Sequence, residues 1–310
     1  MAVHLNRSFN SFPLFVTERV PMRAPKVIAI ATCTDFPQLT RDDQLLLPEL
    51  AALGISGQPA VWDDPGVDWG SFDAVLIRST WSYYLTLSRF LAWIDAVDAQ
   101  TTLWNAATIV RWNCHKSYLA DLEAKGVPII PTVRLESPRQ IERVMADKHW
   151  NEVVVKPAVS AGAYRTYRLT QSGIPGEKPI PRELEGVGEL LLQPYYPSVT
   201  SEGERSLVFF DGEFSHAFLR SPKLESNPKL TEGSPYTPNV RELEVARRAI
   251  EAAPGPTLYC RVDLVPDQSS VPRLMELEMI EPALWLQNCP DGGRRFARGI
   301  RSRLGSDRSL

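Results

Sequence analysis

The chain has 310 residues, 44% of them hydrophobic and 23% charged, and a formal net charge of −3. That balance suits a globular protein with a sizeable core and excludes nucleic acid as the expected main partner. Cys33, Cys114, Cys260 and Cys289 stand far apart, which excludes a metal knuckle or a CxxC redox pair; free thiols in a cytoplasmic protein are expected. No run of about 18 apolar residues occurs, so no membrane span is expected.

Residues 1–24 contain "FPLFV" without a long apolar region or a small-residue cleavage site, and read as an N-terminal arm, with Met22 as an alternative start. "KVIAIATC" (26–33) is an apolar, β-branched run that predicts a buried parallel strand. "RDDQLLLPELAALGISG" (41–57) has helical apolar spacing and stops at Gly54. "QPAVWDD" (58–64) and "FDAVLIRST" (72–80) predict further strands, and "TLSRFLAWIDAVDAQ" (86–100) a helix capped by its serine. Alternating strands and helices give an α/β layer with a mainly parallel sheet, ending near Asn105.

Beyond it, "CHKSYLADLEAKGVPII" (114–130) predicts a helix ending at Gly126 and then a strand; "SPRQIERVMADKHW" (137–150) opens on good N-terminal helix residues. "NEVVVKPA" (151–158) and "GELLLQPYYP" (188–197) predict strands, separated by the loop "GIPGEKPIP" (173–181). "RSLVFFDGEFSHAFLRSPK" (205–223) predicts a hairpin turning at Asp211-Gly212. An amphipathic helix follows over 239–253, then two antiparallel strands in "TLYCRVDLVPDQSSVPRLMELEMI" (257–280). The arginines at 294, 295, 298, 301 and 303 read as a helical end or a solvated tail.

Three sites carry chemistry. In "MELEMIEPAL", strand alternation puts Glu276 and Glu278 on one face with Leu274, and Met275, Leu277 and Met279 on the other; Asp263, one strand earlier, comes beside the two glutamates. Three adjacent carboxylates repel one another unless a cation such as Mg²⁺ neutralises them, although a solvated strand face gives the same pattern. In "VVVKPAVSAGAYRTYRL", Lys156 ends a strand and small residues including Ser160 and Gly162 follow. Such residues let backbone N–H groups approach phosphate, yet an ordinary strand–turn–strand reads the same way. In "IRSTWSYY", Arg78 and Trp81 follow a strand of the α/β layer, where open sheets meet ligands; an interdomain salt bridge is the alternative for Arg78.

The order of "RWNCHKSYL", "VVVKPAVSAGAY", "LLLQPYYP" and D…E-x-E resembles the ATP-grasp superfamily, in its glutathione synthetase-like branch and nearest to the cyclo-ligases of the cycloserine pathway. The resemblance covers roughly residues 25 to 298. It implies an α/β pre-ATP-grasp substrate domain (25–107), a small lobe (108–192) and a large lobe with the metal-binding strands (193–300), which clasp ATP, and a tail (301–310). It implies that Lys116 and Lys156 contact phosphates, with Lys156 reaching also toward adenine, and that Ser160 and Gly162 belong to the phosphate flap. Gln193 to Tyr196 would border adenine, and Glu202 or Glu204 would hold the ribose. Asp263, Glu276 and Glu278 would bind Mg²⁺; glutathione synthetases often carry asparagine at the last position. Glu281 is expected to be structural or to stand just outside the metal ligands, Arg220 to stabilise the transferred phosphoryl group with Lys223 as a sequence neighbour, and His216 to be structural or to support the site from behind, not to act as a general base.

The implied activity is an ADP-forming ligase that activates a small-molecule carboxylate as an acyl phosphate for attack by an amine, including attack within one molecule. Arg78 and Trp81 would bind the substrate, and relatives often have aspartate where this chain has Ser82. A homodimer is a permitted assembly. A phosphotransferase and a non-catalytic nucleotide-binding protein are the alternatives.

Overall fold

The computed structural model describes residues 25–171, 180–221 and 233–306, and contains three sheets. The first is built from β1 (Lys26–Thr32), β2 (Ile55–Val61), β3 (Ala74–Ile77) and β4 (Thr102–Trp104), all parallel, in the order β2-β1-β3-β4. Both faces are covered. On one side lie α1 (Arg41–Gln44) and α2 (Leu46–Ala52), on the other α3 (Leu87–Asp98), whose Phe90, Trp93, Ile94 and Val97 are buried at helical spacing. The expected serine cap of α3 is absent: Thr86 is its N-cap residue and makes no side-chain capping bond. Chain order reverses between β1 and β3, so a crevice opens beyond their C-terminal ends, where residues 78–84 follow.

Helices α4 (Ala107–Asn113) and α5 (Tyr118–Ala124) come next. The second sheet consists of β5 (Val133–Leu135), β6 (Glu152–Pro157), β7 (Tyr167–Thr170) and β8 (Leu190–Pro194), antiparallel in the order β5-β8-β6-β7, packed on α6 (Ile141–Lys148). After the short helix α7 (Ser198–Glu202), the third sheet is formed by β9 (Glu204–Phe210), β10 (Glu213–Arg220), β11 (Ser234–Tyr236), β12 (Tyr259–Pro266) and β13 (Pro272–Glu278). Its order is β11-β10-β9-β12-β13, and every pairing is antiparallel. Helix α8 (Val240–Glu251) is closed at its start by a reciprocal pair of bonds between Asn239 and Glu242, a capping box contributing about 1 kcal/mol.

Two stretches bear on the boundaries of the sequence reading. Residues Ile109, Tyr118, Leu119 and Leu122 pack into the core of the third sheet with Leu207, Val262 and Leu274, so α4 and α5 pack mainly on that sheet. Residues 301–306 continue α9 (Gly292–Ser306) instead of forming a tail. Phe296, Ala297 and Ile300 of that helix are buried against Leu46 and Leu50 of the first sheet's layer and against Phe210. The N-terminal arm, Lys223, most of the loop at 173–181 and residues 307–310 lie outside the described residues. Among the described residues no helix is long and apolar enough to cross a membrane.

Candidate active site

The acidic run lies on β13, and its register contains a bulge. Glu276 faces Asp263 on β12, yet Leu274 faces the very next residue, Leu264, so Met275 is the extra residue. The bulge breaks strict alternation. Leu274 turns into the core with Leu277 and Met279, while Met275 lines a cavity together with Glu276 and Glu278. The expected face is therefore corrected at two positions: Leu274 and Met275 exchange sides. The bulge keeps both glutamates on the cavity side while the strand's apolar residues still reach the core.

Asp263, Glu276 and Glu278 each present a carboxylate oxygen within 4.8 Å of the others. Asp263 is fully buried; it accepts hydrogen bonds from Ser206 Oγ (2.7 Å), from Arg261 Nε and Nη2 (2.8 Å each) and from Arg220 Nη1 (3.0 Å). Burial alone would raise its pKa, but the Arg261 and Arg220 charges outweigh that and hold it below the usual range. Glu276 likewise overcomes burial, because Lys116 and Lys156 stand beside it; Lys156 Nζ is 2.6 Å away and Lys116 Nζ 3.9 Å. Glu278 ion-pairs with Arg261, but burial, helped by the charges of Asp263 and Glu276, leaves its carboxyl raised.

Four cations thus converge on three carboxylates. Arg261, unmarked in the sequence reading, is the central one, and strand alternation from Asp263 would have placed it on the same face.

Around this cluster the second and third sheets enclose a cleft with two compartments. One has a volume of ≈ 130 Å³ and is walled by Ile130, Val154 and Met275 on its apolar side. Gln193 and Tyr195 border it, as do Lys156, Gly162 and Glu204. Gln193 turns its amide to Thr132 Oγ1 (2.9 Å). Tyr195 stacks under the guanidinium of Arg168, 3.7 Å from the ring centroid. Between β6 and β7 the backbone takes positive φ at Gly162, Ala163 and Arg165. Lys116 Nζ donates to the Ser160 carbonyl (2.7 Å), so the helix start and this loop are tied together.

The structure separates the two candidate acids. Glu202 is exposed and paired with Arg205 (2.6 Å), away from the cavity. Glu204 is in the wall, 3.5 Å from Arg220, and burial pushes its carboxyl up to about 7 against the opposing Arg220 charge.

The larger compartment, ≈ 440 Å³, extends from Lys116, Lys156, Ser160, Gly162 and Arg220 to the crevice of the first sheet. Its far wall is aromatic: Trp81, Tyr83, Tyr84, Tyr164 and Trp285, of which only Trp81 was singled out from sequence. Arg78 is not there. It is 2% exposed, with Nε 2.8 Å from Asp43 Oδ1 and Nη2 donating to the Pro282 carbonyl (2.7 Å), so the expectation of a substrate clamp is corrected to a buried ion pair that bridges two elements. Ser82 Oγ accepts from the indole of Trp62 (3.2 Å) and stays out of the wall.

Arg78 is one of six residues that fix the irregular backbone after β13. Successive carbonyls from 279 to 284 accept from Asn105 Nδ2 (2.8 Å), Tyr259 Oη (2.7 Å), Trp81 Nε1 (2.9 Å), Arg78 Nη2 (2.7 Å), Arg261 Nη1 (3.0 Å) and His216 Nε2 (2.7 Å). His216 therefore has a structural role, as expected. Long-range donors replace the sheet ladder where it stops, so every carbonyl of a buried, non-repeating segment is satisfied.

The domain family described as the D-cycloserine synthetase DcsG N-terminal domain matches residues 28–105. The cycloserine biosynthesis protein DcsG of Streptomyces lavendulae is 32% identical over 299 residues, covering 89% of this chain and 98% of that protein. The chain belongs to the DcsG family of ATP-grasp ligases. The crystal structure of D-cycloserine synthetase DcsG superposes with a TM-score of 0.81 at 31% identity, over 90% of this chain and 99% of that one. A RimK domain ATP-grasp protein from Sphaerobacter thermophilus DSM 20745 shares the fold at 17% identity, with a TM-score of 0.65 over 88% of this chain and 99% of that one. The DcsG-family chain is thus an ATP-dependent ligase with the ATP-grasp fold. In this family member the segment after β3 of the parallel sheet supplies Trp81, Tyr83 and Tyr84 to the aromatic end of the cleft, and the two antiparallel sheets supply the cationic and acidic end.

Proposed function

We propose that the protein is an ADP-forming ligase: ATP phosphorylates a small-molecule carboxylate, and an amine or related nucleophile then displaces phosphate from the acyl phosphate. The observation that carries this reading is the convergence of Lys116, Lys156, Arg220 and Arg261 on Asp263, Glu276 and Glu278 in one cleft. The donor set fits a hard divalent cation, because all three ligand positions are carboxylate oxygens. Asp263, Glu276 and Glu278 would hold Mg²⁺, which when bound neutralises charge on the β- and γ-phosphates.

The remaining steps fall to the chain's own residues. With metal and nucleotide present, Lys156 and Lys116 would exchange part of their pairing with Glu276 for phosphate oxygens. Arg220, held at the edge of the cluster by Asp263 and Glu204, would stabilise charge on the transferred phosphoryl group and on the oxyanion. Adenine would lie between Ile130, Val154 and Met275 and the backbone of Gln193 to Tyr195, with Glu204 supplying a carboxylate nearby. The ≈ 440 Å³ compartment offers room for a small carboxylate beside the γ-phosphate position. A relative named D-cycloserine synthetase makes a ring product, and intramolecular attack is accordingly part of this proposal.

The test is a screen of amino acids, other small carboxylates and small amines with Mg-ATP, reading ADP release together with the mass of joined or cyclised products. The reading requires ADP and phosphate in step with product. A stable phosphorylated compound without a joined or cyclised product would make the protein a phosphotransferase instead.

A further inference from the structure

Glu276 and Glu278 stand on either side of Leu277 on β13, the last strand of its sheet, so among the described residues no further strand pairs with its outer edge. An edge strand leaves a row of N–H and C=O groups without ladder partners. The bulge at Met275 also breaks the ladder to β12 just before Glu276. A backbone held on one side only, and next to a bulge, aims its side chains poorly.

The outer edge is nevertheless closed. Near the bulge, Leu274 donates to the Pro128 carbonyl (2.8 Å) and accepts from the Ile130 N–H (2.9 Å). Further on, side chains take over. The Asn113 amide donates through Nδ2 to the Leu277 carbonyl (2.7 Å) and accepts through Oδ1 from the Met279 N–H (2.8 Å), as a neighbouring strand would. The Leu277 N–H donates to Tyr118 Oη (3.0 Å). Each peptide unit from Glu276 to Met279 is thereby bonded outward. Asn113 and Tyr118 are both buried, and both border the larger compartment.

The same short segment reaches the lysines. Between Asn113 and Tyr118, the Lys116 N–H donates to the Ala158 carbonyl (2.8 Å), just past the end of the strand that carries Lys156, and Lys116 Nζ donates to the Ser160 carbonyl. Residues 113–118 therefore grip the acidic strand with two side chains and the small-residue loop with the lysine between them.

We propose that Asn113 and Tyr118 are positioning residues for the metal centre: by closing the outer edge of β13 they set the aim of Glu276 and Glu278 and fix their distance from Lys116 and Lys156. This rests on the Mg²⁺ reading given above and adds two residues that supply no metal ligand and act through the main chain of β13. Groups that orient metal ligands in this way usually matter to metal affinity nearly as much as the ligands.

The experiment measures binding of a non-hydrolysable ATP analogue by calorimetry, once with Mg²⁺ and once with EDTA. The ratio of the two Kd values is the metal's contribution. In the unaltered protein Mg²⁺ should tighten binding about tenfold or more. Asn113→Leu, which keeps the bulk and loses both bonds, should cut that ratio about fivefold or more, and Tyr118→Phe, which removes a single oxygen, about threefold. Ile109→Ala thins the packing of the same helix and removes no bond to β13, so its ratio should stay within about twofold of the unaltered one. Amide hydrogen exchange in the nucleotide-free protein should quicken at Met279 in Asn113→Leu and at Leu277 in Tyr118→Phe. A general loosening of the cleft would raise both Kd values by the same factor, so an unchanged ratio in Tyr118→Phe, which keeps the ring in place, would overturn the proposal. An equal fall in Ile109→Ala, or unaltered exchange at both amides, would overturn it too; all three results leave the Mg²⁺ reading standing. Equal Kd values with and without Mg²⁺ in the unaltered protein would overturn both.

Discussion

Lys156 Nζ lies 2.6 Å from Glu276 in a cleft wall where both groups are largely withdrawn from solvent. A lysine anchors phosphate through its charge, whereas the glutamate acts through the metal, so the two should fail differently. Lys156→Ala should weaken Mg-ATP binding about ten- to a hundred-fold, the equivalent of about 1.5–3 kcal/mol for a charge-assisted bond. Glu276→Gln should leave ATP binding less affected, lower turnover, and shift the Mg²⁺ dependence to higher concentration. Calorimetric titration with a Mg²⁺ series separates the two; normal turnover of Glu276→Gln at limiting Mg²⁺ would remove that residue from the metal site. Arg78 behaves differently again, because its partner Asp43 is buried with it. Arg78→Ala should cost about 3–5 kcal/mol of stability in urea unfolding by stranding that carboxylate. The lysines and acids were legible through the order of their motifs, because each alone reads equally as a surface lysine or a solvated strand face. For Arg78 the sequence offered a substrate clamp and a salt bridge side by side, and the choice between them was hidden because its capture by an aspartate 35 positions upstream depends on how α1 folds over β3.

At the scale of elements, the strands and helices follow from periodicity, and the departures from it mark the site. β13 carries Met275 as an extra residue, and no pattern of polar and apolar letters announces a bulge. The segment from 279 to 284 was equally hidden, because its donors come from residues as far away as Arg78 and Asn105. His216 shows what that support costs in acid. Burial depresses its pKa, against the opposing bond to the Leu284 carbonyl, so the folded state favours the neutral ring. A depressed histidine contributes stability above its unfolded pKa of about 6.5 and loses it as pH falls below that value. Lowering the pH from 7.5 to 5.5 should therefore destabilise the unaltered protein more than His216→Gln, which keeps a donor without the titration. Urea midpoints across that range check this, and parallel pH profiles for the two proteins would contradict it.

Over the whole molecule, the order of motifs implied the ATP-grasp fold with an N-terminal α/β domain ahead of two lobes, and the comparisons and topology agree with that fold. Less legible were the joints. Helices α4 and α5 read as part of the small lobe by position, yet their apolar faces complete the core of the third sheet. The C-terminal arginines suggested a helical end or a solvated tail; they lie on α9, whose Phe296, Ala297 and Ile300 between them dock it against both the first and third sheets.

These joints bring the aromatic crevice to the cationic cluster, and the central claim is that a carboxylate held there is phosphorylated before it is joined. Label transfer tests this most directly. A substrate found in the screen is prepared with ¹⁸O in its carboxylate and turned over with Mg-ATP, and the products are analysed by mass spectrometry. Carboxylate attack on the γ-phosphorus followed by displacement must leave one ¹⁸O in inorganic phosphate for each ADP and each product formed. Label in AMP, or phosphate without label, would contradict the account.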